Sequence, residues 1–217
     1  WQERVHDFPE APALPTLCDI ATIETPRFTR RQHRISPKQW TALKEYAAQL
    51  GVGPTALLLD LYAEALHPYT GQDKFALNLT VANRVPVHPD VDNLVGDFTS
   101  LMLIAIDRTQ DVSNNQRLHA VQEVLNEALE HRLYDGVDFV RDLAKARGAQ
   151  NQAIMPVVFT AALEQGDARR GWDALGRTTM GVNQTSQVIL DNQVVEIGGG
   201  LDVAWDYVED LFDAALV

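Results

Sequence analysis

A chain of 217 residues, 46% of them hydrophobic, is long enough for one domain with a real core or for two small ones, and its composition is that of a globular protein. A net charge of −12 argues against a nucleic-acid surface or a polybasic membrane patch. The lone cysteine, Cys18, excludes an internal disulfide and a thiolate metal cluster. No apolar run approaches the roughly 20 residues needed to cross a bilayer.

There is no signal peptide, so a cytoplasmic location is expected. The first residue is Trp1 rather than methionine, and the chain is therefore expected to be a piece of a longer protein. Residues 1–26 form an extended approach segment, because Pro9, Pro12, Pro15 and Pro26 forbid a continuous helix. Residues 27–35 alternate loosely and predict an exposed strand. Its basic stripe of Arg27, Arg30, Arg31, His33 and Arg34 reads as a solvated face paired with local carboxylates, in preference to a phosphate site.

Residues 36–50 predict a helix. Ser36 is its N-cap, Pro37 its first residue, Gln39 completes a capping box and Gly51 supplies the stop. Trp40, Leu43, Ala47 and Leu50 share its apolar face. A second helix, apolar on most sides, is predicted over 54–67 and ends at His67-Pro68 and Gly71; Asp60 within it reads as facing solvent or a capping partner.

Residues 73–107 are the stretch around which the rest is arranged. Phe75, Leu77, Leu79 and Val81 alternate with Ala76, Asn78 and Thr80, as in a half-buried strand. Leu101–Ile106 is a continuous apolar run, as in a strand covered on both faces. The polar loop between them, with Asn83, Arg84, His88, Asp90, Asp92 and Asp97, is either functional or an elaborate surface connection.

An amphipathic helix is predicted over 113–134, capped by Ser113, and another over 137–148. His119 and His131 on this pair lack a metal-ligand spacing. A short buried strand follows over 154–161, then a mobile connection over 164–180. A long strand over 181–197, a glycine turn at Gly198 to Gly200 and a return strand come next. Residues 207–217 are expected to begin a helix. Strands interleaved with helices and no repeat imply an α/β or α+β sandwich, with 27–217 as one lobe.

No nucleophile elbow, phosphate-binding loop, dinucleotide fingerprint or zinc-protease motif occurs. The glycine triplet lies between strands and reads as a hairpin turn. The histidines (6, 33, 67, 88, 119 and 131) include no adjacent pair, and no metal site is expected.

Five stretches in order carry a family resemblance. They are the Pro-rich PEAPALPTL of residues 9–17; Asn78-Leu79-Thr80 with Asn83-Arg84, Pro86 and His88-Pro89; Gly96-Asp97-Phe98-Thr99-Ser100; Pro156-Val157-Val158-Phe159-Thr160; and Gln184-Thr185-Ser186-Gln187-Val188-Ile189-Leu190-Asp191. Arg27 through Trp40, Leu43 and Lys44, the segments Gly53-Pro54-Thr55, Leu57-Leu58-Leu59 and Tyr62-Ala63, and later Asn192-Gln193 and Trp205-Asp206, extend it. The chain resembles the heterocyclization domains of non-ribosomal peptide synthetases, a branch of the condensation-domain superfamily. It departs from the family pattern at Ala161 (usually Ser), Ser186 (Pro) and Ile189 (Trp), around the key motif positions. The H-H-x-x-x-D motif of ordinary condensation domains is missing. Asp92 and Asp97 match the spacing of the family's D-x-x-x-x-D only by coincidence, since that motif belongs to the family's N-terminal half.

The resemblance implies a chloramphenicol acetyltransferase-like lobe, a mixed sheet packed with helices. Residues 27–217 would be the C-terminal lobe, 1–26 the interlobe approach, and the N-terminal lobe would be absent, leaving the isolated piece inactive. The implied reaction joins a carrier-bound acyl group to Cys, Ser or Thr and cyclodehydrates the product to a thiazoline or oxazoline. By motif position Asp191 is the implied catalytic carboxyl and Thr160 its hydroxyl partner. The sequence alone would make them a strand-end aspartate and a buried strand threonine. Asn83, Arg84, Asp97, Thr99 and Gln187 would line the tunnel, and an Arg84–Asp97 ion pair is an equally good reading of those two. No cofactor is bound directly; substrates arrive on phosphopantetheine arms. The implied partners are peptidyl or aryl carrier domains, the N-terminal lobe and an adenylation domain. The alternatives are a non-catalytic docking lobe and an ordinary condensation lobe.

Overall fold

The computed structural model describes residues 2–149, 152–163 and 181–217. The chain runs through β1 (Phe28–Ile35), α1 (Pro37–Gln49), α2 (Pro54–Thr70), β2 (Lys74–Ala82), β3 (Thr99–Asp107), α3 (Asn114–Glu130), α4 (Gly136–Ala146), β4 (Val157–Ala162), β5 (Leu190–Ile197) and β6 (Gly200–Val208). The predicted capping box at Ser36 forms: Gln39 N donates to Ser36 Oγ at 3.4 Å and Ser36 N to Gln39 Oε1 at 3.1 Å. Ser113 and Gln116 repeat it at the start of α3. Each such cap stabilises its helix by about 1 kcal/mol.

The strands make one mixed sheet in the order β1-β6-β5-β4-β2-β3. β4 lies parallel to both β2 and β5, and the remaining pairs are antiparallel. One face packs on α1, α2 and α3 through Trp40, Leu59, Tyr62, Phe75, Leu77, Ile104, Val121 and Phe159. The other face is covered at its β2–β3 end by α4 and the N-terminal segment, where Val5, Phe8, Phe139 and Leu143 meet Ala76 and Leu103. Farther along that face Arg30, Asp206, Asp191, Gln193 and Thr160 stand among Val158 and Ala204, and the candidate site lies there.

The approach segment is a strap. Glu10 O accepts from Ala76 N at 2.7 Å, Ala13 N donates to Gln72 Oε1 at 2.7 Å, and Leu17 N donates to Leu211 O at 2.8 Å. The basic stripe of residues 27–35 meets carboxylates as expected: Arg27, just before β1, with Asp210, Arg30 with Asp206 and Arg34 with Asp202.

Several expectations are corrected. β2 is buried on both faces, Ala76 and Asn78 included, because α4 and the strap cover its second side. Asp60 does not face solvent; it is buried and takes the Arg108 guanidinium at 2.5 Å. α2 runs through Pro68 to Thr70, since a proline in the last turn removes only one ladder bond, and Gly71 ends it at φ 63°. α3 stops at Glu130 and leaves Leu133 exposed. The strand expected from 181 begins only at Leu190, and Gln187 at φ 71° interrupts the extended run. No helix forms after β6: a single 3-10 turn, Glu209–Leu211, follows, with Glu209 N donating to Arg27 O and Leu211 held by the strap. The connection expected over 164–180 lies outside the described residues.

Candidate active site

Cross-strand register builds the site. Side chains of one strand face alternate sides, so residues in register across the sheet share a face. One rung runs Arg30, Asp206, Asp191, Val158, Asn78; the next runs Gln32, Ala204, Gln193, Thr160, Thr80. Two motifs some 30 residues apart, on β4 and β5, thus deliver Thr160 and Asp191 to adjacent places.

Thr160 Oγ1 lies 3.1 Å from Asp191 Oδ1 and 3.2 Å from Thr80 Oγ1. A hydroxyl has one proton and two lone pairs, so Thr160 can donate to Asp191 while accepting from Thr80. Asp191 Oδ2 accepts from Gln193 Nε2 at 2.7 Å and from Asn183 Nδ2 at 3.3 Å. Asp191 is 7% exposed and Asp206 beside it is fully buried. Asp206 accepts from Arg30 Nε at 2.6 Å and Nη2 at 2.5 Å, and from Asn183 N at 2.7 Å. Hydrogen bonding to Asp206 raises the Arg30 pKa above its already high ordinary value. On the other face Tyr62 is buried beneath these strands; burial, with a lesser contribution from Asp191, pushes its hydroxyl well above the ordinary tyrosine range.

The loop residues take other places. Asn83 N donates to Phe98 O at 2.8 Å and Asn83 Nδ2 to Arg132 O at 3.4 Å. Arg84 does not pair with Asp97. Its guanidinium binds the carbonyls of Val91 and Leu94 and stands 3.8 Å over the Phe98 ring. Asp97 Oδ1 accepts from Thr99 N at 2.8 Å, and hydrogen bonds from Thr99 hold its carboxyl below the ordinary range. These four residues fasten the 83–99 loop, and the hydrogen bonds described here do not reach Asp191. Gln187 is exposed in a turn.

Sequence reasoning left Thr80, Asn183, Gln193, Asp206 and Arg30 without a role beside Asp191. Gln193 was within reach of it, being two residues along the same strand face. So was Asp206, because a two-residue turn at Gly198-Gly199 pins the register opposite Asp191. Two of the family departures point away from the site: Ala161 and Ile189 pack against the helix-side core. Ser186 is exposed. Among the described residues no group of three or more His, Cys, Asp or Glu side chains could hold a metal ion, and no helix is long and apolar enough to cross a membrane.

The family model described as "Condensation domain" matches residues 1–217. Bacitracin synthase 1 of Bacillus licheniformis is 42% identical over the whole chain, which spans 4% of that protein. The phenyloxazoline synthase MbtB of Mycobacterium tuberculosis is 38% identical over the whole chain, which spans 15% of it. The structure of the EpoB cyclization-docking bidomain from Sorangium cellulosum superposes over the whole chain with a TM-score of 0.90 at 35% identity, and the chain covers 44% of it. The chain therefore spans a small part of its curated relatives, and its mixed sheet packed with helices is the chloramphenicol acetyltransferase-like fold. It belongs to the condensation-domain family.

Proposed function

We propose that the chain is the C-terminal lobe of a heterocyclization domain, joined in the parent protein to an N-terminal lobe. The domain condenses a carrier-bound acyl group with a carrier-bound Cys, Ser or Thr and closes the product to a thiazoline or oxazoline. The observation that carries this reading is the 3.1 Å approach of Thr160 to Asp191 across β4 and β5. The likeness to a phenyloxazoline synthase and to a cyclization bidomain supports it.

Ring closure makes a defined chemical demand. The side-chain thiol or hydroxyl adds to the new amide carbonyl and leaves a tetrahedral carbon bearing a hydroxyl. Loss of water requires a proton delivered to that oxygen and a proton removed from the ring nitrogen, as the C=N bond forms. A carboxyl with a hydroxyl beside it can do both, and general acid–base assistance of this kind contributes about 10²–10⁴-fold. In this reading Asp191 exchanges the proton and Thr160 orients it. Substrates reach the site on phosphopantetheine arms of peptidyl or aryl carrier domains, beside an adenylation domain, with no cofactor held by the lobe itself.

The test is Asp191→Asn in the intact parent synthetase module, with products followed by mass spectrometry. The expected product is the open dipeptide, heavier by one water than the ring. Unchanged ring product would remove Asp191 from the reaction. A wild-type module that yields only open amide would instead mark an ordinary condensation domain.

A further inference from the structure

Two carboxylates face each other across β5 and β6, Asp191 opposite Asp206. Like charges directly opposite destabilise a sheet, so something must separate their roles. Asp206 is the anion of a bidentate ion pair with Arg30. Asp191 has different company. Its hydrogen-bond donors are the Thr160 hydroxyl and the amides of Asn183 and Gln193, all neutral. Among the described residues no cation makes an ion pair with it.

Gln193 stands between the two. Its Nε2 lies 2.7 Å from Asp191 Oδ2 and 3.2 Å from Asp206 Oδ2, while its Oε1 accepts from Arg30 Nη2 at 2.9 Å. The orientation of this amide follows from its neighbours. Turned over, it would set its oxygen against two carboxylates and its NH2 against a guanidinium, so every contact would be repulsive. Arg30, fixed by Asp206, therefore fixes Gln193, and Gln193 fixes the Asp191 carboxyl with its other oxygen toward Thr160.

We propose that Gln193 is a positioning residue for ring closure: its amide holds Asp191 against Thr160 and couples it to the Asp206–Arg30 pair. The proposal rests on the reading of Asp191 as the ring-closing carboxyl. Gln193 need not touch substrate. Without its donor, Asp191 loses its shortest hydrogen bond and can swing from Thr160.

The test uses the intact parent module with Gln193→Met, Gln193→Glu, Asp191→Asn and the Gln193→Met/Asp191→Asn double variant. The readout is the ratio of ring-closed to open condensed product. Gln193→Met keeps the side-chain length and is expected to lower that ratio about tenfold or more, with the summed condensed product within about twofold of wild type. Gln193→Glu, which sets a third carboxylate between the two, is expected to lower it further. In the Asp191→Asn background, Gln193→Met is expected to change nothing more, because residues acting as one unit are not additive.

Loss of folded enzyme lowers both products together and leaves the ratio unmoved, so the ratio separates positioning from stability. If the methionine variant does not fold, the isosteric glutamate variant carries the test. An unchanged ratio at Gln193 alongside a collapsed ratio in Asp191→Asn overturns this proposal alone. So does a double variant worse than Asp191→Asn. If Asp191→Asn itself leaves the ratio at the wild-type value, the reading beneath falls and takes the proposal with it.

Discussion

At the scale of single residues, strand register brings together side chains that lie far apart in the sequence. Thr160 has one hydroxyl proton between two oxygen neighbours, Asp191 at 3.1 Å and Thr80 at 3.2 Å. Thr160→Val keeps the shape and removes the hydroxyl, and Thr160→Ser restores it. The valine variant is expected to lower the ring-to-open product ratio about tenfold or more, with serine recovering most of it. Unfolding free energy is expected to fall by about 1–3 kcal/mol, since two hydrogen bonds are lost from a half-buried site; urea titration of both variants checks this. The pairing of Asp191 with Thr160 was legible because each sits at a fixed place in a family motif. Arg30 was not: in the sequence it is one of several arginines in a basic stripe, and only the β1–β6 register sets it over Asp206. Asn183 was hidden for a different reason. It reaches Asp206 and Asp191 from a loop whose path no periodicity encodes.

Among the elements, helix starts were legible and chain ends were not. Ser36 and Ser113 announce their helices by a local rule that tertiary context leaves alone. The end of the chain has apolar residues at a helical spacing, but the edge-strand contact of Glu209 with Arg27 and the strap bond at Leu211 hold its start in a single 3-10 turn. Packing overrides a weak propensity there. α4 depends on a closer rule. At Gly136 an added Cβ would stand 2.2 Å from Leu101 O, a backbone atom of β3 that cannot step aside. Gly136→Ala is expected to destabilise the fold by about 2–3 kcal/mol, read as a lower urea midpoint at unchanged m-value. At the other end of β3, Asp107 faces Lys74 across the ladder and accepts from Thr109. Burial works upward on its pKa, but Lys74 and Thr109 outweigh it and hold the carboxyl at about 2. The folded value lies below the unfolded one, so the stabilisation is present above about pH 4 and is lost as pH falls toward 2. Because the side chain is half exposed, the effect is discounted to roughly 0.5–1 kcal/mol. Asp107→Asn is expected to match wild type at pH 2 and to fall short of it at pH 6 by that amount.

Across the whole molecule, one face of the sheet buries a large core against three helices, and the opposite face is shared between a small apolar cover and the polar site. The layer architecture was legible from strands interleaved with helices, but β2 as a strand buried on both faces was not. Its alternation is correct, and the covering layer comes from a proline-rich segment that looks like a linker. That segment does a strand's work. β2 pairs with β4 only over Asn78–Thr80, so the Ala76 N–H would lack a sheet partner on that side. The Glu10 carbonyl supplies one at 2.7 Å. Phe8 anchors the strap, with its ring centroid 4.9 Å from that of Phe139 in an edge-to-face contact and its carbonyl accepting from Arg147. Phe8→Ala opens a cavity against Phe139 and Leu143 and loosens the strap over β2. It is expected to cost about 3 kcal/mol, measured by chemical denaturation. Amide exchange is expected to rise at Ala76 more than at Leu190 or Val194. The strap's contacts with Phe139 and Ala76 lie toward the β2–β3 end of the sheet, whereas the Thr160–Asp191 pair lies on β4 and β5. The ring-to-open ratio per folded molecule is therefore expected to stay at its wild-type value. A ratio that fell with Phe8→Ala would mean that the strap holds β2, and through Thr80 the hydroxyl chain, in place.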